Sequence, residues 1–248
     1  MYGKEFELAK NIAKKVGIFL KNQTEKKIES TEGRDIKLEL DRKSEAIIIE
    51  AIESEFKYPM LSEEAGLTKN LKLDTPYWII DPIDGTMNFS RNNPTSCVSI
   101  ALWIEKEPIF GVIYDFNRDE LFYGYIGKGA WLNDKKIEPS NIKEKSQAIL
   151  ATGFPTYMND DENTLKSFIT QIQEYKKIRM IGSAALSLAY VACGRFDAYI
   201  EQNIKLWDIA AGVAINKALN NFINIDFLDD FDTVTKVGHT LASAKITF

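Results

Sequence analysis

The sequence predicts an α+β protein, and three observations carry that expectation. An amphipathic helical stretch opens the chain, a run of short apolar segments separated by turn signals fills its middle, and strands alternate with helices from residue 148 onward. Along 4–20, Phe6, Ala9, Ile12, Ala13, Val16 and Leu20 fall on one helical stripe. Residues 22–35 are polar, rich in Lys and Glu, contain Gly33, and read as a mobile loop or an exposed hairpin tip. A second helix is expected at 42–56, with Ile48, Ile52 and Phe56 in register, and a short buried strand at 77–81. Segments 96–104, 108–114, 120–125 and 130–132 are strand-like and divided by Glu-Lys-Glu, Asn-Arg-Asp and Gly-Lys-Gly, the pattern of an antiparallel meander, with a further turn at 133–136. In the second half, 148–152 reads as a strand, and 164–175 as a helix turning Leu165, Phe168, Ile169 and Ile172 inward. Segment 183–193 reads as a buried helix ended by Gly194, 196–201 as a strand, 208–219 as a helix, and 222–227 and 234–247 as closing strands.

The chain has 248 residues, 45% hydrophobic and 27% charged, the balance of an ordinary globular protein. No repeat, low-complexity tract or Pro/Gly/Ser linker divides it, so two subdomains sharing one interface, 1–145 and 146–248, are expected. The net charge of −5 argues against a nucleic-acid partner. No apolar run is long enough for a membrane span, and the spread apolar positions of 1–21 do not form a signal peptide, which makes the cytoplasm the default location. Cys97 and Cys193 lie far apart without CxxC spacing, against a disulfide framework or a thiolate zinc site. His239 is the single histidine, so carboxylates, hydroxyls and metal must carry any chemistry; His239 itself reads as a solvated or structural residue.

Residues 78–89, Trp-Ile-Ile-Asp-Pro-Ile-Asp-Gly-Thr-Met-Asn-Phe, are the most informative stretch. An apolar run delivers Asp81 to a strand end, Pro82 is expected to force a turn, and Asp84 follows three residues later. Two carboxylates held together are costly unless a cation or proton lies between them, and hard divalent cations such as Mg²⁺ suit oxygen donors. Two further acidic segments stand out: Leu61-Ser62-Glu63-Glu64-Ala65-Gly66 and Leu206-Trp207-Asp208-Ile209-Ala210-Ala211-Gly212. Singly, each has an ordinary structural reading. Glu63 and Glu64 read also as a solvated loop pair, Asp208 as the N-cap of its helix, Asp84 as an Asx-turn acceptor, and Thr86 as a first-turn residue.

Together, in this order and spacing, the three segments resemble the inositol monophosphatase superfamily of Mg²⁺-dependent, lithium-sensitive phosphomonoesterases. The motif W-[IV]-[IV]-D-P-[IL]-D-G-T-x-N-F is met at 78–89, W-D-x-A-A/G-G at 207–212, and the acidic pair upstream at Glu63 and Glu64. The resemblance implies a layered α-β-α-β-α sandwich of the inositol monophosphatase / fructose-1,6-bisphosphatase type, and a homodimer. It implies two or three Mg²⁺ held by Glu63, Asp81, Asp84, Asp208 and the carbonyl of Ile83, with Mn²⁺ as a substitute and Li⁺ and Ca²⁺ as inhibitors. One metal, on Glu63, Asp81 and the Ile83 carbonyl, would activate a water, and the other, on Asp81, Asp84 and Asp208, would stabilise the leaving alkoxide. Glu63 and Thr86 would orient and deprotonate that water. Asp41 would support the metal shell, or cap the helix at 42, or both. Glu64 would lie behind the metal ligands or in solvent.

For the small-molecule phosphate ester, the resemblance implies contacts from Asp84, Gly85, Thr86, Gly182, Ser183, Glu201 and Asp208. Glu201 would accept substrate hydroxyls, against a reading as a solvated strand end. Met87 and Ser62 depart from the commoner threonine and glycine. Arg195 and Lys205 place positive charge near the expected pocket, which favours a second anionic group on the substrate or is simply surface. The segment 22–35 corresponds to the family's mobile loop without an assignable ligand. Met87-Asn88-Phe89 resembles the inositol monophosphatase and archaeal-type fructose bisphosphatase pattern more than the histidinol-phosphate or adenosine 3′,5′-bisphosphate ones; the first expectation is a sugar or polyol phosphate, with inositol 1-phosphate as the reference, and the second is fructose 1,6-bisphosphate in the same site. A non-catalytic metal-binding scaffold is the remote alternative.

Overall fold

The computed structural model describes residues 1–32, 35–68, 74–154, 162–227 and 232–238. Helix α1 (Gly3–Lys21) leads into a hairpin of β1 (Ile28–Glu32) and β2 (Asp35–Leu38), then α2 (Glu39–Glu55). Strands β3 (Met60–Ser62), β4 (Gly66–Leu67) and β5 (Tyr77–Asp84) precede the short α3 (Thr86–Ser90). The meander follows as β6 (Cys97–Ile104), β7 (Glu107–Asp115), β8 (Glu120–Tyr125), β9 (Gly129–Leu132) and β10 (Lys135–Lys136). After a 3₁₀ turn at Lys145–Gln147 come β11 (Ile149–Ala151), α4 (Glu162–Gln173), β12 (Lys177–Arg179), α5 (Ala184–Ala192), β13 (Ala198–Lys205), α6 (Leu206–Ala218), β14 (Phe222–Phe227) and β15 (Asp232–Gly238). His239 and the remainder of the expected last strand lie outside the described residues.

The strands form two principal sheets. The larger runs β10-β9-β8-β7-β6-β5-β3-β4, antiparallel except for β3 beside β5; the smaller runs β12-β11-β13-β15-β14, parallel through β12-β11-β13 and antiparallel beyond. Helices α1 and α2 seal one face of the larger sheet, burying Phe6, Ile12, Val16, Leu20, Ile48 and Ile52 against Trp78, Ile80, Ile100 and Val112. Helices α5 and α6 fill the space between the sheets, where Leu186, Leu188, Ile209 and Val213 meet Ile79, Ala101, Ile113 and Tyr199. Helix α4 lies on the outer face of the smaller sheet, where Ile172 packs against a cluster of Leu150, Tyr175, Ala198 and Ile200. The result is the expected five-layer α-β-α-β-α order.

Several local expectations are corrected or settled. Strand β5 does not stop at Asp81. It continues fully buried to Asp84, and Pro82 sits where the pairing with β6 shifts register between Asp81 and Asp84, a bulge that spares proline its missing N–H. Of the two readings open for 22–35, the hairpin holds: β1 and β2 pair antiparallel. In α4, Leu165 and Ile169 are exposed at 39% and 46%, so the apolar stripe read as inward faces outward at those positions.

Helix α6 approaches the larger sheet very closely. A Cβ on Gly111 would fall 2.2 Å from the Ala211 carbonyl oxygen, and one on Gly124 2.7 Å from the Ile215 Cα. Glycine at these two strand positions sets the height of α6 over the sheet, and thereby the height of the carboxylate at its amino end.

Candidate active site

The motif residues converge on a cavity of about 390 Å³ lined by Glu63, Asp81, Ile83, Asp84, Gly85, Thr86, Gly182, Ser183, Glu201 and Asp208, among others. Asp41 stands just behind it, bonded to Thr86. Every site residue expected from the sequence is therefore in the cavity or one contact from it. Lys37, Met87, Thr152, Gly153, Ile204, Lys205 and Trp207 complete the lining.

The acids are delivered by several elements, β5 supplying two of them. Asp81 and Asp84 come from the bulged end of β5, where Asp81 Oδ1 accepts from the Ile83 amide at 3.0 Å. Asp84 accepts from the Ser183 hydroxyl and, at 2.9 Å, from the Ala185 amide, placing a carboxylate at the amino end of α5. Asp208 lies in the first turn of α6, and Asp41 in the first turn of α2. Neither is the N-cap residue that the sequence allowed. Each reaches back from the third helical position to the cap amide: Asp41 to Leu38 at 2.6 Å and Asp208 to Lys205 at 3.2 Å. Glu63 follows β3, whose parallel pairing with β5 brings it beside Asp81.

Gly85 makes the turn between Asp84 and α3. Its φ of 86° is left-handed, and a Cβ there would stand 2.7 Å from the Thr95 carbonyl oxygen. The next residue, Thr86, has its hydroxyl 2.9 Å from the Ile83 carbonyl and 3.4 Å from Asp41 Oδ1. Asn88 then ties this turn to the opposite wall, donating to the carbonyls of Thr95 at 2.9 Å, Ile181 at 2.8 Å and Gly182 at 3.0 Å.

The electrostatics follow from crowding. Burial, then repulsion from Asp41, raises Glu63 to about 8, and burial raises Asp41 to about 7 against its bond from Leu38. Asp81 and Asp208 are pushed well above the ordinary carboxylate range by burial and then by Glu63. Asp84 is raised less far, because the Ser183 and Ala185 donors oppose its desolvation. Glu63 lies close enough to Asp81 to raise it by repulsion, which a proton or a cation between them would relieve. Among the described residues, no three acidic, histidine or cysteine side chains stand already drawn around one point at metal-ligand spacing. The donor set itself, carboxylates and a carbonyl in one pocket, fits a hard divalent cation, which would relieve the repulsion that protons relieve otherwise.

Glu201 stands apart from the other acids. Its Oε2 accepts from the Tyr199 hydroxyl at 2.7 Å, and its carboxylate bonds the Gly153 amide. Burial raises it to about 7. A Cβ on Gly153 would overlap Glu201 Oε1, at 1.7 Å, so glycine at 153 is what admits the carboxylate to this place. Neither Tyr199 nor Gly153 was singled out in the sequence; an apolar strand position and a lone glycine gave no chemical signal. Of the two readings open for Arg195, the surface one holds: it pairs with both oxygens of Glu120 at 2.6 Å and lies over the Tyr190 ring, outside the cavity lining. Lys205 does line it.

The model of the inositol monophosphatase family matches residues 3–224. Inositol monophosphatase 3 of Solanum lycopersicum is 37% identical over 98% of this chain and 94% of its own length. The Nus factor SuhB of Xylella fastidiosa is 41% identical over 76% of this chain and 68% of its own. Among solved structures, the inositol monophosphatase of Anabaena (Nostoc) sp. PCC 7120 superposes with a TM-score of 0.84 at 32% identity, covering 96% of this chain and 92% of that one. With its motif carboxylates gathered in one pocket and its whole architecture shared with these proteins, the chain belongs to the inositol monophosphatase family, the metal-dependent phosphoric monoester hydrolases.

Proposed function

We propose that the chain hydrolyses a sugar or polyol monophosphate, of which inositol 1-phosphate is the type, with Mg²⁺ as its working metal. The observation that carries the reading is the placing of Glu201 in the same cavity as the acidic cluster: one wall for a cation and phosphate, another for hydroxyls. Glu63, Asp81, Asp84, Asp208 and the Ile83 carbonyl would hold the cations. When bound, these would supply the positive charge that acidifies a water and stabilises the leaving oxygen. The chain's own residues do the rest. Ionised Asp41 accepts the Thr86 hydroxyl proton, which leaves the Thr86 oxygen able to receive a proton from the attacking water. Glu63 orients that water from the other side. The amides at Gly85 and Thr86 face the phosphate, and Glu201, fixed by Tyr199 and Gly153, accepts from substrate hydroxyls.

Phosphate release from inositol 1-phosphate, fructose 1,6-bisphosphate, histidinol phosphate and adenosine 3′,5′-bisphosphate, with and without Mg²⁺, tests the reading. Mg²⁺-dependent release favouring inositol 1-phosphate is expected; no release from any ester, with no Mg²⁺ binding by calorimetry, sinks it. Lys205 in the cavity lining supports a second reading, fructose 1,6-bisphosphate, whose second phosphate would meet that charge. The same proposal takes Mn²⁺ as a substitute metal and Li⁺ and Ca²⁺ as inhibitors. It places the chain in the cytoplasm, supported by two unpaired cysteines, and divides it into subdomains 1–145 and 146–248. A homodimer is part of it, supported by the exposed Leu165 and Ile169 of α4 and the nearby exposed Phe154 and Met180. No helix among the described residues is long and apolar enough to cross a membrane.

A further inference from the structure

Glu45 lies one turn beyond Asp41 on α2, on the stripe that continues through Ile48 and Ile52 into the core, and is 5% exposed. A glutamate on a buried stripe is costly unless its oxygens are satisfied. Here Oε1 accepts from the Glu64 amide at 3.1 Å and from the Ala65 amide at 3.3 Å. Those amides belong to the turn between β3 and β4, directly after Glu63. The Glu63 amide itself donates to the Ile80 carbonyl at 3.2 Å. Three successive amides of one turn thus have fixed acceptors, two of them on a single charged side chain carried by a helix. The Lys37 ammonium, 3.4 Å from the Glu64 carboxylate, draws that side chain toward β2 while Glu63 lines the cavity with Asp81.

We propose that Glu45 is a positioning residue for Glu63: by gripping the backbone of the turn behind it, Glu45 fixes the direction in which Glu63 enters the acidic cluster. The inference rests on the reading of Glu63 as a cation ligand. Its physical basis is the strength and direction of a charge-assisted acceptor, and the anchoring of a loop by a helix packed on the core. Asp41 and Glu45, four residues apart on one face of α2, then divide the work: one meets Thr86, the other the Glu63 turn.

Two variants and two readouts test it. Glu45→Leu removes the acceptor, whereas Glu45→Gln keeps a carbonyl oxygen in the same place. Mg²⁺ affinity is measured by calorimetry on metal-stripped protein, and hydrogen exchange is followed at the amides of 62–66. Glu45→Leu is expected to weaken Mg²⁺ binding about 10-fold or more, in the range seen when a supporting partner of a metal ligand is lost. It should raise the Mg²⁺ needed for half-maximal activity more than it lowers kcat, and speed exchange at Glu64 and Ala65. Glu45→Gln should stay within roughly threefold of the wild type on each measure, since a neutral acceptor keeps much of the bond. Wild-type affinity in Glu45→Leu overturns the proposal, and so does a glutamine variant as impaired as the leucine one. If the leucine variant does not fold, the wild type decides: unprotected exchange at Glu64 and Ala65 overturns the grip itself. Failure of the wild type to bind Mg²⁺ would instead remove the metal reading of Glu63, and this inference with it.

Discussion

The Ser183 hydroxyl donates to Asp84 Oδ2, an oxygen that also takes the Ala185 amide at 2.9 Å and the Cys97 thiol at 3.6 Å. Asp84 belongs to the strand of the larger sheet that carries the central motif, and Ser183 caps the helix packed between the two sheets. One carboxylate therefore serves the acidic cluster and fixes that helix to it. In Asp84→Asn the side-chain carbonyl still accepts from Ser183 and Ala185, while one negative charge leaves the cluster. The variant is expected to fold and, without metal, to melt within a few degrees of the parent. Phosphate release at ordinary Mg²⁺ should fall by roughly 100-fold or more, because a cation ligand has been neutralised. Near-normal turnover in that assay would falsify the ligand assignment.

Metal-free protein should lose stability as pH rises. Asp41, Glu63 and Glu201 are raised to about 7, about 8 and about 7, above the ordinary carboxylate range near 4. The folded state then binds more protons than the unfolded one across that interval, so the stability these groups contribute is full below about pH 4 and gone above about pH 8. Thermal melts in chelator from pH 5 to pH 8 should fall steadily, and Mg²⁺ should flatten the slope by taking the place of the protons. A chelated protein that melts higher at pH 8 than at pH 5 contradicts the crowding described for the cluster.

Glu201→Gln separates hydroxyl recognition from phosphate chemistry. It should raise KM for a polyol phosphate about 10-fold, with little effect on a generic aryl phosphate, which offers no hydroxyls to that wall. Equal losses on both substrates would show that Glu201 acts on the cluster and not on the ligand. Because Glu201 Oε1 lies where a Cβ of residue 153 would be, Gly153→Ala should imitate this selectivity change.

Gly111→Ala tests the seating of α6. The added methyl meets the backbone of Ala211, which cannot rotate away, so a cost at or above the 1–3 kcal/mol typical of overpacking, roughly, is expected. Thermal melts should show that loss, and the surviving folded fraction should bind Mg²⁺ more weakly because Asp208 rides on the same helix. Unchanged affinity would separate the height of α6 from the site.

Much of the site was legible because its acids sit beside apolar anchors: Trp78-Ile79-Ile80 before Asp81, and Trp207 before Asp208. Buried flanks make an acid conspicuous. Glu45 escaped notice although it obeys the same logic, since its apolar companions, Ile48 and Ile52, are neighbours along a helix and not along the sequence. Sequence alone left Arg195 between pocket and surface, because its partner, Glu120 on the meander, is distant in the chain. The meander, the first helix and the buried α5 followed from periodicity and turn chemistry. The layering did not, because the sheet to which a strand belongs depends on distant pairings; the family resemblance supplied it. In α4 the periodicity was right and Ile172 turns inward, but Leu165 and Ile169 face out, since a stripe reports amphipathicity and not how much of it is covered.

The near contact of α6 with Gly111 and Gly124 bears on how this chain tolerates change. The catalytic wall is held in place from its far side, by two positions with no side chain at all. A saturation survey scored on activity should therefore show two separate regions of intolerance: the acids of the cavity, and a patch of bare backbone on the neighbouring strands that never touches a substrate. An allele at the second would look, to any inspection limited to the pocket, like a harmless change in a β-sheet.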